Sequence, residues 1–220
     1  MSERVVLCYG DSNTWGWIPG GNGRHARGKR WPGVLAAELG PGWHVVEEGL
    51  SGRTTVFDDP LSPDRNGRTY LAPSLASHEP VDLVVLFLGT NDLKARFGVP
   101  AADIAAGAGA LVTIVLESLA GPGMTPPRVL VLGLPRLGRL TELADMFAGA
   151  EGKAARLPEH LRAVAATLGA DFLDLGELLA YSDADGIHLD ERGHNTIGEA
   201  VAGAVRRVFD TEGETPHAVE

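Results

Sequence analysis

The sequence predicts an α/β protein in which helices cover both faces of a parallel sheet. Short apolar runs alternate with stretches of helical pattern along the chain, and this alternation is typical of consecutive βαβ units. Blocks rich in glycine and polar residues directly follow several of the predicted strands. The carboxyl ends of parallel strands are where such folds place their sites, so the sequence also predicts which edge of the sheet is functional.

The first half of the chain contains three predicted strands and two helices. In chain order they are strand Arg4–Tyr9, helix Trp31–Leu39, strand His44–Glu47, helix Thr69–His78 and strand Asp82–Leu88. Glycines and a proline at 40–42 end the first helix, and Pro80 ends the second because the residue before a proline disfavours helix. The third strand is continuously apolar, which is typical of a strand with both faces covered.

The second half repeats the pattern. It predicts helix Pro100–Leu119, strand Arg128–Leu134, helix Gly152–Leu168, strand Asp171–Leu173 and helix Glu191–Phe209. We predict a single domain over 1–209 and a polar, frayed tail over 210–220. Two long loops, Ile18–Arg30 and Thr55–Arg68, have lengths that are often functional.

Composition excludes several classes of protein. The net charge of −10 disfavours nucleic acid and anionic membrane surfaces as partners, and no apolar run has the length of a membrane span. The N-terminal apolar run is too short for a signal peptide. A single cysteine fits a reducing compartment, so we predict a cytoplasmic protein.

Four short blocks supply the residue types that acyl transfer through a serine ester requires. They are Gly10-Asp11-Ser12-Asn13, Gly49-Leu50-Ser51-Gly52, Gly89-Thr90-Asn91-Asp92 and Asp185-Gly186-Ile187-His188. We predict Ser12 as the nucleophile, and the N–H groups of Ser12 and Gly52 with the Asn91 amide as oxyanion donors. Taken singly, Ser12 could be a helix N-cap, and Gly52 and Asn91 could be ordinary turn residues.

The fourth block provides a base with a carboxylate three residues before it. In a turn, this spacing lets Asp185 hold one nitrogen of the His188 imidazole while the other nitrogen faces the serine. We therefore predict that both are catalytic. The alternatives are a solvated loop histidine and a metal site that would add Asp190 and His194 but lacks a third histidine.

Aromatic residues follow the predicted nucleophile closely. We predict that Trp15 and Trp17, together with Thr90 and Ile187, bind the substrate, since such sites are mostly apolar with few polar groups. Core packing is the alternative for either tryptophan. A site bounded by these bulky side chains would admit only short acyl chains, unless the loop Ile18–Arg30 moves away from it.

The four blocks in this order resemble the SGNH superfamily of GDSL-type esterases and lipases. Longer stretches are similar to its bacterial arylesterase/acyltransferase branch, and the resemblance extends from Arg4 to Phe209. These stretches are Gly10–Trp17, Glu47–Thr55, Leu88–Asp92 and Asp185–His188. Asn13 stands where the GDSL signature usually has leucine.

The resemblance implies a three-layer αβα sandwich whose five-stranded parallel sheet has the flavodoxin-like order. It also implies a triad of Ser12, His188 and Asp185, the three oxyanion donors named above, and no cofactor or metal. Octameric members of the branch carry a longer, proline-rich segment after the fourth strand, whereas Pro135–Pro158 is shorter here and is predicted to be helical. The resemblance is thus compatible with a homo-oligomer but does not indicate an octamer.

We predict an esterase that hydrolyses short-chain acyl esters, acetyl or aryl, with some transfer to alcohols. Its partner would be a small-molecule ester. A carbohydrate or other small-molecule deacetylase, or a thioesterase, would use the same residues. A catalytically silent binding protein is the alternative from another class, and loss of any block would have favoured it; none is lost.

Overall fold

The computed structural model describes residues 3–21 and 23–210, and it contains a five-stranded, fully parallel sheet of order β2-β1-β3-β4-β5. The strands are β1 (Arg4–Gly10), β2 (Trp43–Gly49), β3 (Leu83–Phe87), β4 (Arg128–Gly133) and β5 (Asp171–Asp174). This order confirms the predicted flavodoxin-like α/β fold. The predicted bounds of the strands differ from these by no more than two residues.

Helices cover the sheet in two groups. They are α1 (Ser12–Trp15), α2 (Trp31–Leu39), α3 (Gly67–His78), α4 (Ala101–Glu117), α5 (Ala150–Leu168) and α6 (Glu191–Asp210). Helix α2 packs against α6, whereas α4 packs against α3 and α5, as in a three-layer sandwich. Within the described residues, no helix combines the length and the apolar character that crossing a membrane requires.

The apolar core is centred on β3, whose five residues are all buried as the continuous apolar run predicts. Strand β2 differs from a buried strand. It pairs with β1 alone, and Val45 is its one buried residue. The tail predicted for 210–220 begins at Asp210, which ends α6, and 211–220 lie outside the described residues.

The prediction of helix across Pro135–Pro158 is wrong for its first part. The chain between β4 and α5 runs in turns, and the helix begins only at Ala150. Its backbone and side-chain groups bond instead to the segment that precedes His188. The N–H of Gly138 donates to the carbonyl of Gly186 at 3.0 Å, and this segment is thereby fixed at the carboxyl edge of the sheet.

Candidate active site

Ser12 lies at the start of α1, immediately after β1. The turn is tight, since a Cβ on Gly10 would lie 2.0 Å from Oγ1 of Thr14. Asp11 caps the helix by accepting the N–H of Asn13 at 2.8 Å. These contacts hold the Ser12 side chain, which is 6% exposed, at the carboxyl end of β1.

His188 joins Ser12 to Asp185 in one hydrogen-bonded chain. The distance from Ser12 Oγ to His188 Nε2 is 3.0 Å, and that from His188 Nδ1 to Asp185 Oδ2 is 2.8 Å. The carboxylate assigns the proton to Nδ1, which leaves Nε2 to accept the serine hydroxyl. A solvated histidine would not be held at both ring nitrogens. The three residues predicted as catalytic are therefore brought together.

The surroundings of the Asp185 carboxylate favour its ionised form. Burial alone raises its pKa, but the hydrogen bond and charge of His188, with the N–H donors of Gly20 and Ile187, outweigh burial and lower that pKa to about 2. The Gly20 N–H reaches the same Oδ2 atom at 3.0 Å. A negative charge at this position can stabilise an imidazolium while the ring holds a proton.

Asn13 connects the segment around His188 to the turn that carries Ser12, a role that sequence reasoning missed. Its Nδ2 donates to the carbonyl of Ile187 at 3.0 Å, and its Oδ1 accepts the N–H of Leu189 at 3.1 Å. These two residues flank His188. No local signal points to the contact, because the partners are 174 and 176 positions away.

Asn13→Ala is expected to lower kcat for p-nitrophenyl acetate by about 10-fold with little change in KM, because small displacements of a catalytic group are costly. Both contacts of the amide would be lost and the imidazole less firmly placed. Asn195→Ala, an exposed amide on α6, is the matched control. Steady-state kinetics with circular dichroism as a check on folding would decide, and an unchanged kcat would contradict the role.

Gly52 and Asn91 lie in the turns that follow β2 and β3. Gly52 has a φ of 87°, a conformation that favours glycine. Within the described residues, the backbone N–H groups of Ser12 and Gly52 donate no hydrogen bond, so both are available to a substrate. The Asn91 Nδ2 donates to the Arg53 carbonyl at 3.1 Å and to Oδ2 of Asp11 at 3.3 Å. The amide thus contacts the sequence neighbours of both other predicted donors.

Arg53 is a buried cation behind this turn, and sequence reasoning missed it too. It is 1% exposed, and burial lowers the pKa of its guanidinium. Its Nη1 donates to the carbonyl of Gly10 at 2.8 Å and also to that of Glu48, while the guanidinium lies 4.0 Å from the ring centroid of Tyr9. Arg53 therefore links the ends of β1 and β2.

Two buried carboxylates lie close to the predicted donors. Asp92 accepts the N–H of Thr55 at 3.0 Å, which joins the loops after β2 and β3. Burial raises the pKa of both Asp11 and Asp92 to about 6. Each group binds its proton more tightly when the protein is folded. Both therefore destabilise the fold above pH 6, and this effect is relieved as the pH falls from about 6 to about 4.

The rings of His188, Trp17 and Trp15 lie next to one another in that order. The Trp17 ring centroid is 6.0 Å from that of His188, and the Trp15 centroid is 5.9 Å from Trp17. Arg24 lies 4.8 Å over the Trp15 ring and donates to the Trp15 carbonyl. Trp17 is therefore the tryptophan near the reacting atoms. The loop that follows it is tied to the site through Gly20, as described above.

The other two residues predicted to bind the substrate, Thr90 and Ile187, are buried. Thr90 is 2% exposed, and its hydroxyl lies 2.9 Å from that of Tyr181. Ile187 is buried beside His188. The residues of the alternative metal site are used elsewhere, because His194 Nδ1 accepts the N–H of Trp31 and Asp190 accepts that of Gly193.

The known proteins that this chain resembles are lipases, acylhydrolases and esterases. The model of the GDSL-like lipase/acylhydrolase family matches residues 8–196. A carbohydrate acetylesterase from Sinorhizobium meliloti, Est24, is similar at 41% identity and a TM-score of 0.91, covering 94% of this chain and 100% of that one. An aryl esterase from M. smegmatis is similar at 43% identity and a TM-score of 0.89, with the same coverage. No curated protein matches.

Proposed function

The chain belongs to the GDSL-like lipase/acylhydrolase family, and from this premise we propose that it hydrolyses short-chain acyl esters through a serine ester on Ser12. It is a hydrolase of ester bonds, as are the solved structures that it resembles. The observation that carries the finer proposal is the hydrogen-bonded chain from Asp185 through His188 to Ser12, with distances of 2.8 and 3.0 Å.

In the first half of the reaction, Nε2 of His188 takes the proton of the Ser12 hydroxyl as Oγ attacks the carbonyl carbon. The oxyanion accepts the N–H groups of Ser12 and Gly52 and one hydrogen of the Asn91 amide. That hydrogen is the one donated to Oδ2 of Asp11 at 3.3 Å in the free protein, and the oxyanion replaces Asp11 as its acceptor. The other amide hydrogen stays on the Arg53 carbonyl, so the amide keeps its orientation. His188 then protonates the alcohol oxygen, and the alcohol leaves an acyl-enzyme.

In the second half, His188 takes a proton from water as the water oxygen attacks the acyl carbonyl. His188 then gives this proton to Oγ of Ser12 as the bond between Oγ and the acyl carbon breaks and the acid is released. Asp185 keeps the imidazole oriented throughout and stabilises its charged form. A second alcohol in place of water would give acyl transfer by the same steps. The similarity to a carbohydrate acetylesterase favours acetylated sugars as a second substrate class. That reaction differs only in the alcohol released.

A panel of p-nitrophenyl esters of increasing chain length, run beside acetylated sugars, tests this proposal. We expect kcat/KM to be highest for acetyl to butyryl esters and to fall at least about 10-fold by octanoyl, because the Trp17 ring lies 6.0 Å from the His188 ring. A preference for octanoyl or longer esters would contradict the small site and indicate a lipase or long-chain thioesterase.

Trp17→Ala is expected to raise the ratio of octanoyl to acetyl hydrolysis by about 10-fold. Removing the indole leaves room for several methylenes, each of which contributes about 0.8 kcal/mol when buried. Trp43→Ala is the matched control, since Trp43 packs on Phe209, and it should leave the ratio unchanged. Unaltered chain-length profiles in both variants would show that Trp17 does not bound the acyl site.

A further inference from the structure

The side chain of Arg65 lies over Gly52, at the edge of the proposed oxyanion hole. If Gly52 carried a Cβ, that atom would lie 3.4 Å from Cδ and 3.6 Å from Nε of Arg65. The Arg65 carbonyl accepts the N–H of Thr54 at 2.9 Å and its hydroxyl at 3.2 Å. Because Thr54 is two residues after Gly52, Arg65 is anchored to the turn that carries the proposed donor.

The loop that presents Arg65 is fixed by further contacts. The buried carboxylate of Asp59 accepts Nη1 of Arg96 at 3.0 Å and pairs with Nζ of Lys94 at 3.6 Å. On the other side of Arg65, the Asn66 amide donates to the carbonyl of Val56 at 2.9 Å. The position of Arg65 beside Gly52 is therefore set by the fold.

The charge of Arg65 is not used by the protein itself. Its Nη1 donates to the carbonyls of Pro63 and Asp64 at 3.0 and 3.3 Å. Among the described residues, no carboxylate lies within 4 Å of its guanidinium nitrogens, and Nε and Nη2 donate to no protein group. Arg96, by contrast, forms an ion pair with Asp59. Arg65 retains donors and a full charge beside the site.

We propose that Arg65 is a specificity residue that binds a carboxylate carried by the ester substrate, on the Gly52 side of the reacting carbonyl. A guanidinium with free donors binds a carboxylate through charge-assisted hydrogen bonds, which are the stronger class. The apolar side of the site, at Trp17 and Ile187, supplies no such partner. This inference rests on the proposed function, and it names acidic esters as the preferred substrates.

The test compares 3-acetoxybenzoate with its methyl ester, in which one added methyl group removes the carboxylate charge and the acetyl ester is unchanged. Arg65→Gln is expected to lower kcat/KM for 3-acetoxybenzoate by about 10-fold, mainly through KM, since the contact forms in substrate and transition state alike. The methyl ester should change by less than twofold. Arg65→Lys should keep part of the preference. Arg68 is an exposed arginine three residues later, in the first turn of α3, and Arg68→Gln removes the same charge and should leave both esters unchanged.

Several outcomes would overturn the inference. An equal loss on both esters would mean that Arg65 only supports Gly52, and no loss on either would mean that it has no role. An effect of Arg68→Gln equal to that of Arg65→Gln would reduce the role to long-range charge. These results all assume a wild type that hydrolyses the methyl ester. A wild type inactive on both esters and on the p-nitrophenyl panel would instead overturn the proposed function.

Discussion

Ser12→Ala is expected to lower kcat for p-nitrophenyl acetate by about four orders of magnitude or more, because triad members act as a unit. The fold should survive, since the serine hydroxyl makes one hydrogen bond, to Nε2 of His188. Residual activity would come from the oxyanion donors and substrate binding alone. The measurement is kcat for purified wild type and variant, with unfolding curves to show that stability is retained.

Ser51→Ala is the matched control, because Ser51 is a half-buried serine one residue before Gly52. Its kcat should stay within about twofold of wild type, as expected for a side chain outside the reacting atoms. Reaction with an organophosphonate followed by peptide mass spectrometry gives an independent answer. Phosphonylation at Ser51, or full activity of Ser12→Ala, would remove Ser12 from its role.

Asn91→Ala is expected to lower kcat by about 100-fold or more while KM changes little, because the oxyanion contact strengthens only in the transition state. The Asn91 amide is oriented by the Arg53 carbonyl at 3.1 Å, so the donor is in place before the substrate arrives. The Asn195→Ala control should match wild type in both constants. A change confined to KM would mean that Asn91 binds the substrate rather than the transition state.

The sequence predicts the fold well where its signals are local. Helix α2 has the predicted bounds, Trp31–Leu39, because the Gly-Pro-Gly segment after it ends the helix. Strand β3 was predicted from its continuous apolar run. The prediction of helix before Ala150 is wrong because hydrogen bonds to residues about 45 positions later override the helical composition of this segment. One such bond runs from Thr141 Oγ1 to the carbonyl of Ala184.

The candidate site also has one part that local sequence signals predict and another that they do not. Ser12, Gly52, Asn91 and His188 stand in blocks at predicted strand ends and before the last helix, so their approach follows from the parallel sheet. The contacts of Asn13, Arg53 and Arg65 follow only from the folded chain. Whether a buried arginine lies under a turn, or an exposed one lies over it, depends on packing between segments that no local pattern specifies.

The bond between Ser12 and His188 joins residues 176 positions apart, which has a consequence for biosynthesis. A nascent chain carries Ser12, the proposed nucleophile, long before His188, which arrives only with the segment that leads into α6. Contacts of such separation form late, after the loops between them have closed. The growing polypeptide is therefore expected to lack the proposed base until the segment that carries His188 has left the ribosome.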